Sequence, residues 1–127
     1  MPNPILIDTD VLIDFLRGHD KAVAFVNEFF SRIILSPIVV AELYAGVKGN
    51  AELTVLEGFI SLFRVVPLTA EIAKIGGLYK RDFGKSHGVG LADAILAATA
   101  DKEQAELKTL NVKHYPMFGG LEAAYKK

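Results

Sequence analysis

Asp8, Glu42 and Asp93 are the residues of this 127-residue sequence whose types and surroundings point to chemistry. Asp8 follows Ile5, Leu6 and Ile7 without a polar break, so it either ends a strand in solvent or carries a charge out of a buried strand. Asp10 reads as the N-cap of the next helix, and Asp14 as a first-turn acid pairing with Arg17 at i+3. Asp10 and Asp14 are also four apart, a like-charge spacing that a bound cation would relieve. Glu42 lies on a helix whose faces are otherwise apolar: Ile38, Ala41 and Ala45 share its side, and Val39, Val40, Leu43, Tyr44 and Val47 fill the others. Such a helix leaves Glu42 little water to point into. A buried carboxylate needs a salt-bridge partner or a metal ion. Asp93 stacks at helical spacing with Ala97 and Ala100, whose small side chains leave space beside it. An early helix position also suits any Asp. Asn111 follows the stretch LKTL, two residues after Thr109, and serves either as a turn residue or as an oxygen donor.

Carboxylates delivered to one pocket repel one another, and a hard divalent cation resolves that repulsion. Mg2+ prefers oxygen ligands and keeps several waters, so a few direct or water-mediated carboxylates suit it, with Mn2+ as a substitute. A zinc site has little support, because the chain has no cysteine and its histidines lie far from the acids in sequence. An acidic Mg2+ or Mn2+ site points to phosphate chemistry, in which the ion lowers the pKa of a water and neutralises phosphoryl charge.

The elements that position these residues follow from periodicity. Strands are expected at 5–8, 33–36, 64–68 and 105–111, with 119–125 as a final edge strand. Helices are expected at 10–18, 20–32, 36–49, 50–63, 69–84 and 91–104. The third has Ser36 as N-cap and Pro37 at its first position, and the fifth is weakened by Gly76-Gly77. Strands and helices alternate, and the strands are short and apolar, as parallel strands covered on both faces tend to be. The expectation is one α/β domain over 1–127: three layers, α/β/α, around a short-stranded, mostly parallel sheet. Ligands of such sheets sit beyond the carboxyl ends of the strands, where Asp8, Ser36 and Asn111 fall.

Composition narrows the class. Fourteen Lys and Arg nearly balance 15 Asp and Glu, without the excess of a basic nucleic-acid binder. Half the residues are apolar, well away from disordered compositions. No leader pattern or membrane-length apolar run is present, so a cytoplasmic protein without a membrane partner is expected.

The stretches LIDTDVLIDFL, SPIVVAELYAG, LADAILAATA and LKTLNVKHYP occur in this order across residues 6–116. Together they resemble the PIN domain, and within it the VapC-type toxin ribonucleases. The resemblance implies that Asp8, Glu42 and Asp93 form an acidic metal-binding core, with Asp8 and Asp93 as principal ligands. Glu42 would bind metal or orient the attacking water. Asn111 falls where many PIN domains carry a fourth Asp and many toxins an Asn, and would fix a metal-bound water. Asp10 stands where the family often has Asn or Ser, adding a charge the pattern does not require. Thr109 matches a hydroxyl position near the site. The implied activity is Mg2+-dependent hydrolysis of RNA phosphodiester bonds by an in-line water.

Contacts to RNA would come from Arg17, Lys21, Lys80, Arg81, Lys85 and Lys113, with His87 and His114 as stackers or donors. The resemblance also implies a homodimer neutralised by a VapB-type antitoxin, whose C-terminal segment brings a basic side chain to the acids. Apolar stripes in FVNEFF and GFISLF are candidates for these interfaces. Two rival readings share the fold: an RNA-processing PIN nuclease outside any toxin–antitoxin pair, and a catalytically silent scaffold that binds RNA or protein.

Overall fold

Ile5–Ile7 forms the first strand, β1, and every one of its side chains is at most 1% exposed. Three branched apolar residues in succession can be buried together only if both faces of the strand are covered. β1 pairs in parallel with β2 (Ile33–Leu35) on one side and β4 (Glu106–Lys108) on the other, and β2 pairs in parallel with β3 (Arg64–Val65). The order is β3-β2-β1-β4. The chain therefore builds outward from β1 in one direction and returns to β1's other side for its last strand. The crevice beyond the carboxyl ends of β1 and β4 is the switch point where α/β sheets bind ligands.

The computed structural model describes residues 2–127. Helices flank the sheet: α1 (Thr9–Leu16), α2 (Asp20–Phe29), α3 (Pro37–Ala45), α4 (Gly49–Ile60), α5 (Ala70–His87) and α6 (Leu91–Glu103). Ser36 caps α3 as expected, its Oγ accepting from the Ile38 N–H at 3.1 Å, with Pro37 at the first helical position. Thr69 caps α5 in the same way, accepting from the Ile72 N–H at 3.2 Å. The core joins the three strands β1, β2 and β4 to Val11 and Leu12 of α1, Val39 and Leu43 of α3, and Leu96, Ala97 and Ala100 of α6. Each large aliphatic side chain so buried contributes roughly 1.5–3 kcal/mol.

Several boundaries differ from the sequence reading. α2 ends at Phe29 and a 3-10 turn covers Phe30–Arg32, while α5 continues to His87 and ends on Gly88 at φ +66. Residues 119–125 form no edge strand: Gly120 takes φ +75, and the segment crosses as an irregular strap joined to the sheet end by the Ala124 N–H to Thr109 carbonyl bond of 2.9 Å. Alternating apolar residues there contact the core without a neighbouring strand to pair with. Among the described residues, no helix is long and apolar enough to cross a membrane.

Candidate active site

β1 delivers Asp8 to its carboxyl end, where Asp8, not Asp10, is the N-cap of α1. The cap lies two residues earlier than the sequence suggested, because Asp8 has an extended backbone and its Oδ1 accepts from the Thr9 N–H at 2.8 Å. Asp8 is 9% exposed, yet well supplied with donors. Its Oδ2 receives the Thr109 hydroxyl at 2.9 Å and the Tyr115 hydroxyl at 2.7 Å.

The same Tyr115 hydroxyl lies 3.2 Å from Asp93 Oδ1, and the His114 Nδ1 lies 3.3 Å from Asp93 Oδ2. Asp93 sits in the first turn of α6, so the helix dipole favours its charge. Burial above all, then the charge of Asp8 and more weakly that of Glu42, nevertheless push the Asp93 carboxyl above its ordinary range against the pull of His114 and Tyr115. Burial and the two carboxylates hold the Tyr115 phenol far above its usual value, so it stays a donor.

Glu42 comes to the same place from α3: its Oε1 accepts the Thr9 hydroxyl at 2.7 Å. The sequence reading expected it to be buried, but it is exposed. Only Val39 and Leu43 of α3 are buried, while Ala41 and Ala45 flank Glu42 on an open side. Small alanines there leave a border, not a wall. That side opens onto a groove of about 610 Å3 whose lining includes Ile13, Leu16, Arg17, Leu43, Val47 and Val55 as well as Glu42.

Asp10 is spent on the loop after β4. One oxygen accepts from the Val11 N–H at 2.7 Å, and the other from the Leu110 N–H and the Asn111 Nδ2, both at 3.0 Å. Burial and the adjacent Asp8 charge raise its carboxyl above the ordinary range even so. Asn111 is exposed, and its amide nitrogen is committed to Asp10, which leaves its oxygen free. Thr109 is fully buried and links both acids.

The structure therefore gathers Asp8, Asp10, Glu42, Asp93, Thr109 and Asn111 beyond the ends of β1 and β4. Asp14 does not belong with them, and it is not a surface partner of Arg17. It is 7% exposed and bonds Tyr125 and Lys127 at 2.7 and 3.2 Å, because the C-terminal strap closes over that side of α1. Of the basic candidates, Arg17 lines the groove beside Glu42, and Lys113 lies in the 3-10 turn next to His114. Lys80 is held by the Val89 carbonyl at 2.8 Å and Arg81 by Asp82 at 2.9 Å. Lys85 stands on the last turn of α5, and Lys21 bonds the Lys126 carbonyl.

Tyr115 was missed from the sequence. The available signal was a tyrosine following a strand end in an apolar-rich tail, since a buried phenol seeks a hydrogen-bond partner. The donors around the site are all oxygens or a single imidazole, a set that hard divalent cations accept. Burial first, and then repulsion by Asp8, raises Asp93, and a bound cation relieves both by pairing with the carboxylates. Among the described residues, no three Asp, Glu or His side chains close into a ready-made cage.

The sequence pattern of the PIN domain matches residues 5–114. Ribonuclease VapC19 of Mycobacterium tuberculosis is 40% identical over 124 residues, spanning 94% of this chain and 98% of its own. Ribonuclease VapC10 of the same organism is 38% identical over 126 residues, spanning 95% of this chain and 92% of its own. Among solved structures, a toxin–antitoxin complex from Klebsiella pneumoniae superposes with a TM-score of 0.84 at 25% identity, covering 97% of this chain and 99% of the other. FitAcB from Neisseria gonorrhoeae does so with a TM-score of 0.72 at 30% identity, covering 87% and 90%.

Proposed function

Because the chain belongs to the PIN-domain family and, within it, to the VapC ribonucleases, we propose that it is a Mg2+-dependent endoribonuclease acting in the cytoplasm as the toxin of a toxin–antitoxin pair. The observation that carries the site assignment is convergence. Asp8 at the end of β1 and Asp93 of α6 share the Tyr115 hydroxyl, and Glu42 of α3 is tied to the residue next to Asp8 by the Thr9 hydroxyl.

A Mg2+ or Mn2+ ion held by Asp8 and Asp93 would supply an acidified water and neutralise phosphoryl charge. Glu42, exposed and anchored by Thr9, would bind that ion or orient the attacking water. Asp10 holds the Asn111 amide nitrogen, which leaves the amide oxygen as an acceptor that would fix a water at the site. Asp10 acts through Asn111 and the loop rather than as a ligand. Water attacks phosphorus in line with the 3′ oxygen; the new P–O bond forms as the P–O3′ bond breaks, and the 3′ oxygen leaves as a hydroxyl. Arg17 and Lys113 are the cations best placed for RNA phosphates.

The antitoxin reading rests on the likeness to the Klebsiella toxin–antitoxin complex and on the groove beside Glu42. Its lining combines apolar side chains such as Ile13, Leu43, Val47 and Leu56 with Arg17, Lys48, Glu42 and Glu52, features that suit an amphipathic peptide segment. An antitoxin segment lying there would bring a basic side chain to the acids. The working unit is a homodimer of single-domain protomers; sedimentation at micromolar concentration measures this directly.

The deciding experiment pairs induced expression in a bacterium with assay of the purified chain on fluorogenic RNA. Wild type should arrest growth and cleave RNA only with Mg2+ or Mn2+, and Asp8→Asn or Asp93→Asn should do neither. Near-full cleavage by either variant would overturn the assignment.

A further inference from the structure

Oδ2 of Asp8 is bonded by two hydroxyls, each with a single proton to give. Thr109 Oγ1 lies 2.9 Å from Asp8 Oδ2 and 3.3 Å from Asp10 Oδ2, so its proton belongs to Asp8. Tyr115 Oη lies 2.7 Å from the same oxygen and 3.2 Å from Asp93 Oδ1, so its proton does too. The other oxygen, Oδ1, accepts one N–H, from Thr9 at 2.8 Å. A carboxylate has about four acceptor positions, and three are filled.

We infer that Tyr115 is a positioning residue for the divalent cation: its hydroxyl, with that of Thr109, occupies Oδ2 of Asp8 so that Asp8 offers a cation one position on Oδ1 only. The inference rests on the metal-dependent reading above and adds a residue to it. The phenol does a second thing that a purely packing residue would not. It stands between two like charges, Asp8 and Asp93, and fixes their separation from a ring that is 1% exposed. A phenylalanine would fill the same space and keep the core. It would leave Asp8 Oδ2 held by Thr109 alone and Asp93 without its hydroxyl neighbour, so the two carboxylates would be less firmly oriented before the ion arrives. Partners that orient ligating carboxylates are typically worth about 10- to 100-fold in metal affinity.

The test is calorimetric titration of the metal-free protein with Mn2+ and with Mg2+, comparing wild type, Tyr115→Phe and Asp93→Asn. Thermal melts without metal check that each variant is folded. Wild type should bind, Asp93→Asn should not, and Tyr115→Phe should bind about tenfold or more weakly while melting cooperatively. Thr109→Val removes the other donor to the same oxygen and should weaken binding likewise; it decides the matter if Tyr115→Phe fails to fold. Wild-type affinity in the folded variants, with binding lost in Asp93→Asn, would overturn the role of Tyr115 and leave the metal-dependent reading standing. Absence of binding by wild type would overturn both.

Discussion

Tyr125 donates a 2.7 Å hydrogen bond to Asp14 Oδ2 and so fastens the end of the chain to α1, 111 positions earlier. Lys127 reaches the same carboxylate, and the His19 ring stacks on Tyr125 at 5.7 Å. Burial alone would raise the Asp14 carboxyl, but the Tyr125 and Lys127 hydrogen bonds and the Lys127 charge outweigh it and hold the group below its ordinary value. A carboxylate depressed in the folded state contributes stability above its unfolded pKa, near 4, and loses it as pH falls through the lower folded value. Asp14→Ala should therefore cost about 0.5–1.5 kcal/mol at pH 7, the net worth of a hydrogen bond whose half-buried donor can turn to water. The deficit relative to wild type should shrink by pH 3. Urea unfolding at both pH values measures this, and an equal deficit at each would contradict the linkage.

Asp10 and Asp8 are adjacent acids with different duties. Asp10 accepts from Leu110, Asn111 and Val11, and its carboxyl is raised chiefly by burial and then by Asp8. Asp10→Asn removes a like charge but sets its amide NH2 against the Val11 N–H or the Leu110 and Asn111 donors, so it should cost about 1–3 kcal/mol. RNA cleavage should fall by no more than about tenfold, whereas Asp8→Asn should lose on the order of 100-fold or more, as expected for loss of a group acting on the reacting centre. Initial rates on one fluorogenic RNA compare the two. Equal losses would mean that Asp10 is itself a ligand.

Much of this site was legible because it rests on local rules. Apolar triplets gave β1 and β2, and Ser36-Pro37 gave the start of α3. The acids at 8, 42 and 93 drew notice because each follows or interrupts an apolar pattern. What failed depended on the chain's return. Asp14 looked like a surface acid because nothing near it in sequence reveals that Tyr125 and Lys127 come back over it. Glu42 looked buried because a helical wheel counts apolar residues without knowing which side faces the sheet; only Val39 and Leu43 do. Tyr115 was missed because its partners are 107 and 22 residues away.

Asp93 sets how the metal-free fold responds to pH. Its carboxyl is raised, first by burial and then by Asp8, so the folded state holds that proton more tightly than the unfolded chain. Stability is then lost as pH rises from the ordinary carboxylate value through the raised one. Asp93→Asn should melt at a higher temperature than wild type at pH 7 without metal, and the gap should close near pH 4. Adding Mg2+ should raise the wild-type melting temperature and leave the variant unmoved. Differential scanning fluorimetry with and without chelator reads all three, and a metal-independent wild-type melt would sink the assignment.

Gly76 and Gly77 looked alike in sequence, as weak points of one helix, and the structure separates them. A Cβ on Gly76 would stand 2.9 Å from Ile95 Cγ1 and 3.0 Å from Ile95 Cα, whereas one on Gly77 would meet nothing within 4 Å. Gly76 thus packs directly against the α6 backbone at Ile95, two residues along from Asp93. The Ile95 backbone cannot yield without moving the turn that carries that acid. Gly76→Ala should destabilise by about 1–3 kcal/mol, the usual penalty of overpacking, and should reduce cleavage as well. Gly77→Ala should stabilise by roughly 0.5–1 kcal/mol, because alanine loses less backbone freedom in a helix, with activity unchanged. Denaturant melts and RNA cleavage on the two variants test the contrast. If both alanines stabilised, the α5–α6 contact would not be what fixes the start of α6.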